Sequence, residues 1–172
     1  AWLDVEAADA WGLPLVATGR VESVEDGDTL VFVGNSGSGA VSLRARVRLH
    51  GIDAPELAQR SGWAAREALR ELTRNTELRI DCYKRDPRGR AVCRARTAPF
   101  DAEDSDIELV LMRLGLAWHY ADYASEQSPD ERARYAQAEV DARAARRGLW
   151  AGQTPMPPWQ CRERLRSGKL CD

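Results

Sequence analysis

Residues 40–50, AVSLRARVRLH, alternate almost without a break: Val41, Leu43, Ala45, Val47 and Leu49 take one parity, Ser42, Arg44, Arg46 and Arg48 the other. That period of two predicts a half-buried strand with three arginines on its outer face. TLVFV (29–33) is β-branched and aromatic and predicts a second strand. ATGRVESVED (17–26) is a weaker third, because Val21 and Val24 point to opposite faces of a regular strand. DGD (26–28) reads as a tight turn and GNSGSG (34–39) as a hairpin loop, giving a three-stranded meander. The apolar spacing then lengthens to that of a helix over 62–74, with Ser61 as N-cap and Ala65, Ala68, Leu69 and Leu72 on one face.

A hairpin over 76–96 turns near Pro87 and Arg88. SDIE (105–108) reads as a capping box opening a short helix that closes near Gly115. SPDE (128–131), with Pro129 at the first helical position, opens a long helix whose stop is placed at Gly148. Strands followed by helices predict an α+β fold, mainly β: a five-stranded, oligonucleotide-binding-like Greek-key barrel with about three packed helices. The expected layout is an arm over 1–16 containing Trp2, Trp11 and Pro14, one domain over 17–150, and a Pro-rich, then basic strap over 151–172. Trp63, Trp118 and Trp150 are expected in the core or between helices.

At 172 residues and 44% hydrophobic, the chain supports one core. No apolar run nears the roughly 18 residues of a membrane span, so a soluble monomer without membrane partners is expected. The formal charge of -2 gives no global basic signature, yet 44–48 and 83–96 are strongly basic while 101–108 is acidic. These runs fit solvated faces of mixed sign or a local basic cleft. Four cysteines allow three pairings. If 76–96 is a hairpin turning at 87–88, Cys82 falls opposite Cys93 and could bridge to it, and Cys161 and Cys171 would then close a short loop in the tail, although the sequence does not choose among the three pairings. Such bridges imply a secreted or periplasmic protein, whereas reduced thiols would fit the cytoplasm. Ala1 in place of Met fits either a removed export leader or a trimmed start.

Two acidic turns stand out, EDGDTL (25–30) and HGIDAPE (50–56). A hard cation such as Ca²⁺ takes several oxygen ligands and commonly finds them in turns, so Asp28 and Asp53 could supply two if the fold joins them. Singly, each motif is only turn chemistry. Arg48 and Arg90 add the planar, permanently charged forks that suit phosphate, though either alone reads as a surface charge. His50 and His119 are too few and too scattered for a zinc site.

VEDGDTL, RVRLHGIDAPE, DPRGR, LGLAWHY and RRGLW occur in the order and at about the spacings of the staphylococcal nuclease family, which the chain resembles over about 17–150. The resemblance implies a five-stranded barrel with three helices and a Ca²⁺-dependent endonuclease acting on DNA and RNA, leaving 3′-phosphates. It implies Asp28, Asp53 and the Ala54 carbonyl as metal ligands, with Asp26 and Thr29 supporting them from behind. Glu56 becomes the general base or water-positioning carboxylate, and Arg48 and Arg90 the phosphate ligands. Where the family commonly has Tyr before Gly-Arg in the second loop, this chain has Arg88 after Pro87, so phosphate binding there is expected to differ. Tyr120 or Tyr123 is expected to stack on a base. The alternatives are a nucleic-acid-binding module without catalysis and a structural or protein-interaction domain.

Overall fold

The alternation of the third strand is realised: in the computed structural model, β3 (Ser42–Leu49) buries Leu43, Ala45, Val47 and Leu49 completely. The structure describes residues 12–37, 41–152 and 154–171; most of the expected arm, with Trp2 and Trp11, lies outside them. The chain divides into two compact units. The first comprises residues up to Glu25, Thr29–His50 and Arg70–Ile107; the second comprises Asp26–Asp28, Gly51–Leu69 and Glu108 onward.

In the first unit, β1 (Leu15–Val24), β2 (Thr29–Ser36), β3, β5 (Leu78–Arg85) and β6 (Ala91–Thr97) close a barrel in the order β1-β2-β3-β6-β5. β3 and β6 run parallel and every other pair antiparallel. The five strands are those expected, and β1 explains its own irregular pattern. A register shift between Val21 and Ser23 resets the alternation, so Val24 is buried although it breaks the period set by Ala17. Gly19 sits opposite Gly34, and a Cβ on Gly19 would lie 2.1 Å from the Val33 carbonyl oxygen, so the closing strands approach where side chains are absent. The expected 34–39 loop is shorter: Gly34, Asn35 and Ser36 belong to β2, and the Ser36 N–H donates to the Val41 carbonyl. Cys82 and Cys93 are register partners on β5 and β6 and form a disulfide.

In the second unit, β4 (Ile52–Asp53) pairs with β7 (Trp118–His119). Helix α1 (Gly62–Thr73) starts in this unit and ends in the first, and buries Ala65 and Leu69. Trp63, expected inside, is 57% exposed on the opposite face with the Arg66 guanidinium 5.0 Å from its ring. Trp118, Ala142, Leu149 and Trp150 form a buried cluster.

Helix α2 (Ile107–Arg113) begins one residue too late for Ser105 to be its cap. Ser105 ends a 3₁₀ turn instead, and its hydroxyl is engaged by the Phe100 and Ala102 carbonyls and by Arg96. Gly115, at φ +71°, closes α2 as expected: its N–H reaches the Met112 carbonyl and that of Leu116 the Leu111 carbonyl. Helix α3 (Pro129–Ala144) opens as expected, with the Ser128 hydroxyl accepting from the Glu131 N–H at 3.1 Å. It stops before Gly148, because Arg146 adopts φ +54° and the Arg147 N–H turns back to the Ala142 carbonyl. Gly148 serves another purpose: a Cβ there would lie 2.4 Å from the Gly115 carbonyl oxygen, so two chain reversals meet backbone to backbone. A fourth helix, α4 (Pro158–Arg166), lies in the expected strap and is closed by the Cys161–Cys171 disulfide.

Ser128→Ala removes the side-chain acceptor at the start of α3, and should lower unfolding free energy by about 1 kcal/mol in denaturant melts, with an unchanged m-value.

Candidate functional site

In the first unit, Arg48 is buried at the end of β3 and donates from Nη1 to the Leu49 carbonyl at 2.7 Å. Its register partner across the β2–β3 ladder is Thr29, fully buried. Thr29 Oγ1 accepts from Arg90 Nη1 at 2.9 Å, so one threonine neighbours both arginines. Arg90 is set by the β5–β6 turn. Asp86 Oδ1 accepts from the backbone N–H groups of Arg88 and Arg90, and its Oδ2 accepts from Arg90 Nε at 2.7 Å. Gly89, at φ +79°, supplies the left-handed residue that lets the turn close. Burial favours the neutral Asp86 acid, but the hydrogen bonds and charge of Arg90 outweigh it and hold the carboxyl below its ordinary value. Arg88 is exposed at the tip of this turn. Arg44 and Arg46, on the same strand face as Arg48, are each held by two nitrogens on a carboxylate, Glu22 in β1 and Glu25 just after it.

The acidic turns meet in the second unit. Asp28 Oδ2 accepts the Ala54 N–H at 2.7 Å, joining 26–28 to the segment after β4. A Cβ on Gly27 would lie 2.7 Å from that of Ala54 and 2.6 Å from that of Ala65, so only glycine lets this turn sit so deep. The Asp28 N–H donates to Asp26 Oδ1. Burial first, then the adjacent Asp28 charge, pushes the Asp26 carboxyl up to about 7. Asp53 is 1% exposed and fixed on β4 opposite Trp118. Glu56 is held by Gln59, whose side-chain oxygen accepts the Glu56 N–H while its own N–H donates to the Glu56 carbonyl.

Sequence reading missed Arg162. From α4 it donates Nη2 to Asp53 Oδ2 at 2.7 Å and Nη1 to both Asp53 Oδ1 at 3.0 Å and Glu56 Oε1 at 2.9 Å. Burial acts to lower the Arg162 pKa, but Asp53 and then Glu56 hold it above its ordinary value. The α4 segment is anchored here by the Gln59 amide on the Met156 carbonyl, and Trp159 stacks on Tyr120 at 6.0 Å. Tyr120 and Tyr123 meet edge to face at 5.1 Å, and burial first, then Asp122, raises the Tyr120 pKa. The only signals for α4 were Pro157 and Pro158 before an apolar Trp159 and Cys161, too little to place an arginine on a carboxylate.

Asp28 and Asp53 are hard oxygen donors on two bonded turns, and a guanidinium already sits on Asp53, so the donors suit a cation. No group of three or more His, Cys, Asp or Glu side chains among the described residues is arranged to hold a metal. The expected ligand set therefore depends on backbone or solvent oxygen in addition to the two carboxylates. Neither histidine belongs to it: His50 Nδ1 bonds the Tyr83 hydroxyl and His119 Nε2 bonds Gln127 Oε1.

The family profile described as Staphylococcal nuclease homologue matches residues 46–152. That span contains Arg48, Asp53, Ala54, Glu56 and Arg90, and excludes Asp28 and Arg162. An Escherichia coli protein named an uncharacterized endonuclease is 30% identical over 85% of the chain and 85% of its own length. A Haemophilus influenzae protein of the same name is 31% identical over 86% of the chain and 75% of its length. The staphylococcal-like nuclease CAN1 of Arabidopsis thaliana is 32% identical over 94% of the chain. The chain spans only 31% to 43% of the length of that protein and of four other longer relatives.

Because its folded-state value is depressed, Asp86 contributes stability that is complete above the ordinary carboxylate pKa and is lost as pH falls through the lower folded value. Asp86→Asn should therefore flatten the acid limb of stability between about pH 5 and pH 2, read as the denaturant midpoint at each pH.

Proposed function

Since the chain belongs to the staphylococcal nuclease homologues, we propose that it is a Ca²⁺-dependent endonuclease that hydrolyses phosphodiester bonds of DNA, RNA or both and leaves 3′-phosphate ends. The observation that most supports this reading is the bonded pair of acidic turns, Asp28 to Ala54, with buried Asp53 beside it and Glu56 three residues on.

Asp28, Asp53 and the Ala54 carbonyl are the metal ligands in this reading, and the bound ion supplies positive charge for the phosphate and its attacking water. Glu56 accepts a proton from that water as its oxygen bonds to phosphorus. Arg48 and Arg90 each present N–H groups to the non-bridging oxygens, whose charge grows in the transition state. The P–O5′ bond breaks, the leaving oxygen takes up a proton, and the 3′ side retains the phosphate. Thr29 holds Arg90 by its side chain, and Asp86 fixes the Arg90 backbone and Nε. These contacts reduce the freedom that a surface arginine loses on binding. Tyr120 and Tyr123 offer aromatic faces for a base, and Arg88, at its exposed tip, an outlying phosphate contact.

The two disulfides suit an oxidising compartment, so we read the protein as secreted or periplasmic and acting as a monomer. No described helix is long and apolar enough to cross a membrane. A second reading, a nucleic-acid-binding module without cleavage, is favoured by one observation: Arg162 occupies the two carboxylates that catalysis requires.

Digestion of single-stranded DNA separates the two. The expected result is cleavage in Ca²⁺, none in chelator, and product ends that a 3′-phosphatase converts to hydroxyls. Glu56→Gln and Arg90→Gln should each lower kcat by about 10²–10³ while binding persists. Binding with no cleavage by the wild type in any divalent cation would establish the module instead.

A further inference from the structure

The pairing of Arg162 with Asp53 and Glu56 combines three properties that the exposed ion pairs among the described residues do not share together. It is bidentate on Asp53, it bridges to a second carboxylate through the same nitrogen, and the Asp53 side chain it neutralises is 1% exposed. A carboxylate so buried requires a positive partner, and here the partner is a side chain. Yet Asp53 and Glu56 are also the groups assigned above to the ion and to the water. A guanidinium and a divalent cation on one carboxylate repel each other, and little solvent is present to screen them.

The surroundings of Arg162 allow it to leave without unfolding α4. Its side chain is 23% exposed, so a path to solvent is open. The helix that carries it is held independently by the buried Cys161 in its disulfide, by Trp159 on Trp118 and Tyr120, and by the Gln59 bond to Met156. A change of Arg162 rotamer alone would vacate both carboxylates.

We propose that Arg162 is an internal competitor of the divalent cation: its guanidinium pairs with Asp53 and Glu56 until the ion displaces it, so α4 keeps the metal-free carboxylates paired and inactive. This inference rests on the nuclease reading and its metal ligands. It makes activation by metal an exchange of one resident cation for another. Apparent Ca²⁺ affinity is then the intrinsic affinity reduced by the cost of ejecting the arginine. If Arg162 were merely a structural bridge that shapes the site, its removal would not tighten metal binding.

Calorimetric titration of Ca²⁺ alone into the metal-stripped full chain tests this, comparing wild type with Arg162→Gln and Arg162→Lys after circular dichroism has verified their folding. The expected result is Ca²⁺ binding about tenfold tighter or more for Arg162→Gln, with Arg162→Lys between it and the wild type. Ca²⁺ should also raise the Tm of Arg162→Gln more than that of the wild type, because the metal-free variant lacks the guanidinium charge on Asp53. Equal or weaker Ca²⁺ affinity in the folded Gln variant overturns the proposal. If that variant does not fold without metal, the Lys variant decides by the same comparison. Ca²⁺-dependent cleavage by the wild type together with unchanged affinity in the variants would sink only the competition. Absence of Ca²⁺ binding in all three chains would remove the metal reading and the competition together.

Discussion

A nearly solvent-free carboxylate must be met by a donor or a cation, and the second unit is organised around satisfying two of them. Asp28 is met by a backbone N–H at Ala54, and Asp53 by the Arg162 guanidinium. The first bond ties the 26–28 turn to the chain after β4, and glycine at 27 is what allows the turn to approach so closely. The second brings in α4, a segment with no sequence periodicity strong enough to hold a helix in place alone. Buried Pro158 and Cys161, the aromatic contacts of Trp159 and the Gln59 bond to Met156 hold α4 in the unit, and Arg162 reaches the carboxylates from it.

The barrel unit solves the converse problem, ordering cations. Arg48 lies within the end of a buried strand, and Arg90 is fixed by Asp86 on one side and Thr29 on the other. Arg44 and Arg46 start from the same strand face but are paired with Glu22 of β1 and Glu25 just after it. The basic run 44–48 is therefore not a continuous electropositive stripe. It consists of two exposed ion pairs of small energetic value and one buried arginine in a different environment.

Much of this was legible because it is local. Period-two alternation located β3, cap chemistry located the start of α3, and the symmetry of two cysteines about a turn gave the Cys82–Cys93 bridge. The bulge in β1 was visible as a break in alternation without its cause. What failed was of two kinds. Ends set by competing local hydrogen bonds moved: Ser105 turned to the Phe100 and Ala102 carbonyls, and Arg146 took the left-handed residue that Gly148 had been expected to supply. Contacts set by tertiary proximity were invisible. Arg162 is 109 residues from Asp53, and among the 25 Lys and Arg of this chain nothing in its immediate sequence distinguishes it.

That invisibility bears on how far kinship carries. The family profile ends at 152, so Asp53 and Glu56 lie inside the matched domain and the cation resting on them lies outside it, although the match to the Arabidopsis thaliana protein covers 94% of the chain. For this chain the carboxylates cannot be treated as bare anions awaiting a metal. Their charge is already partly compensated, and any ion that binds there is measured against a guanidinium held within hydrogen-bonding distance by its own helix.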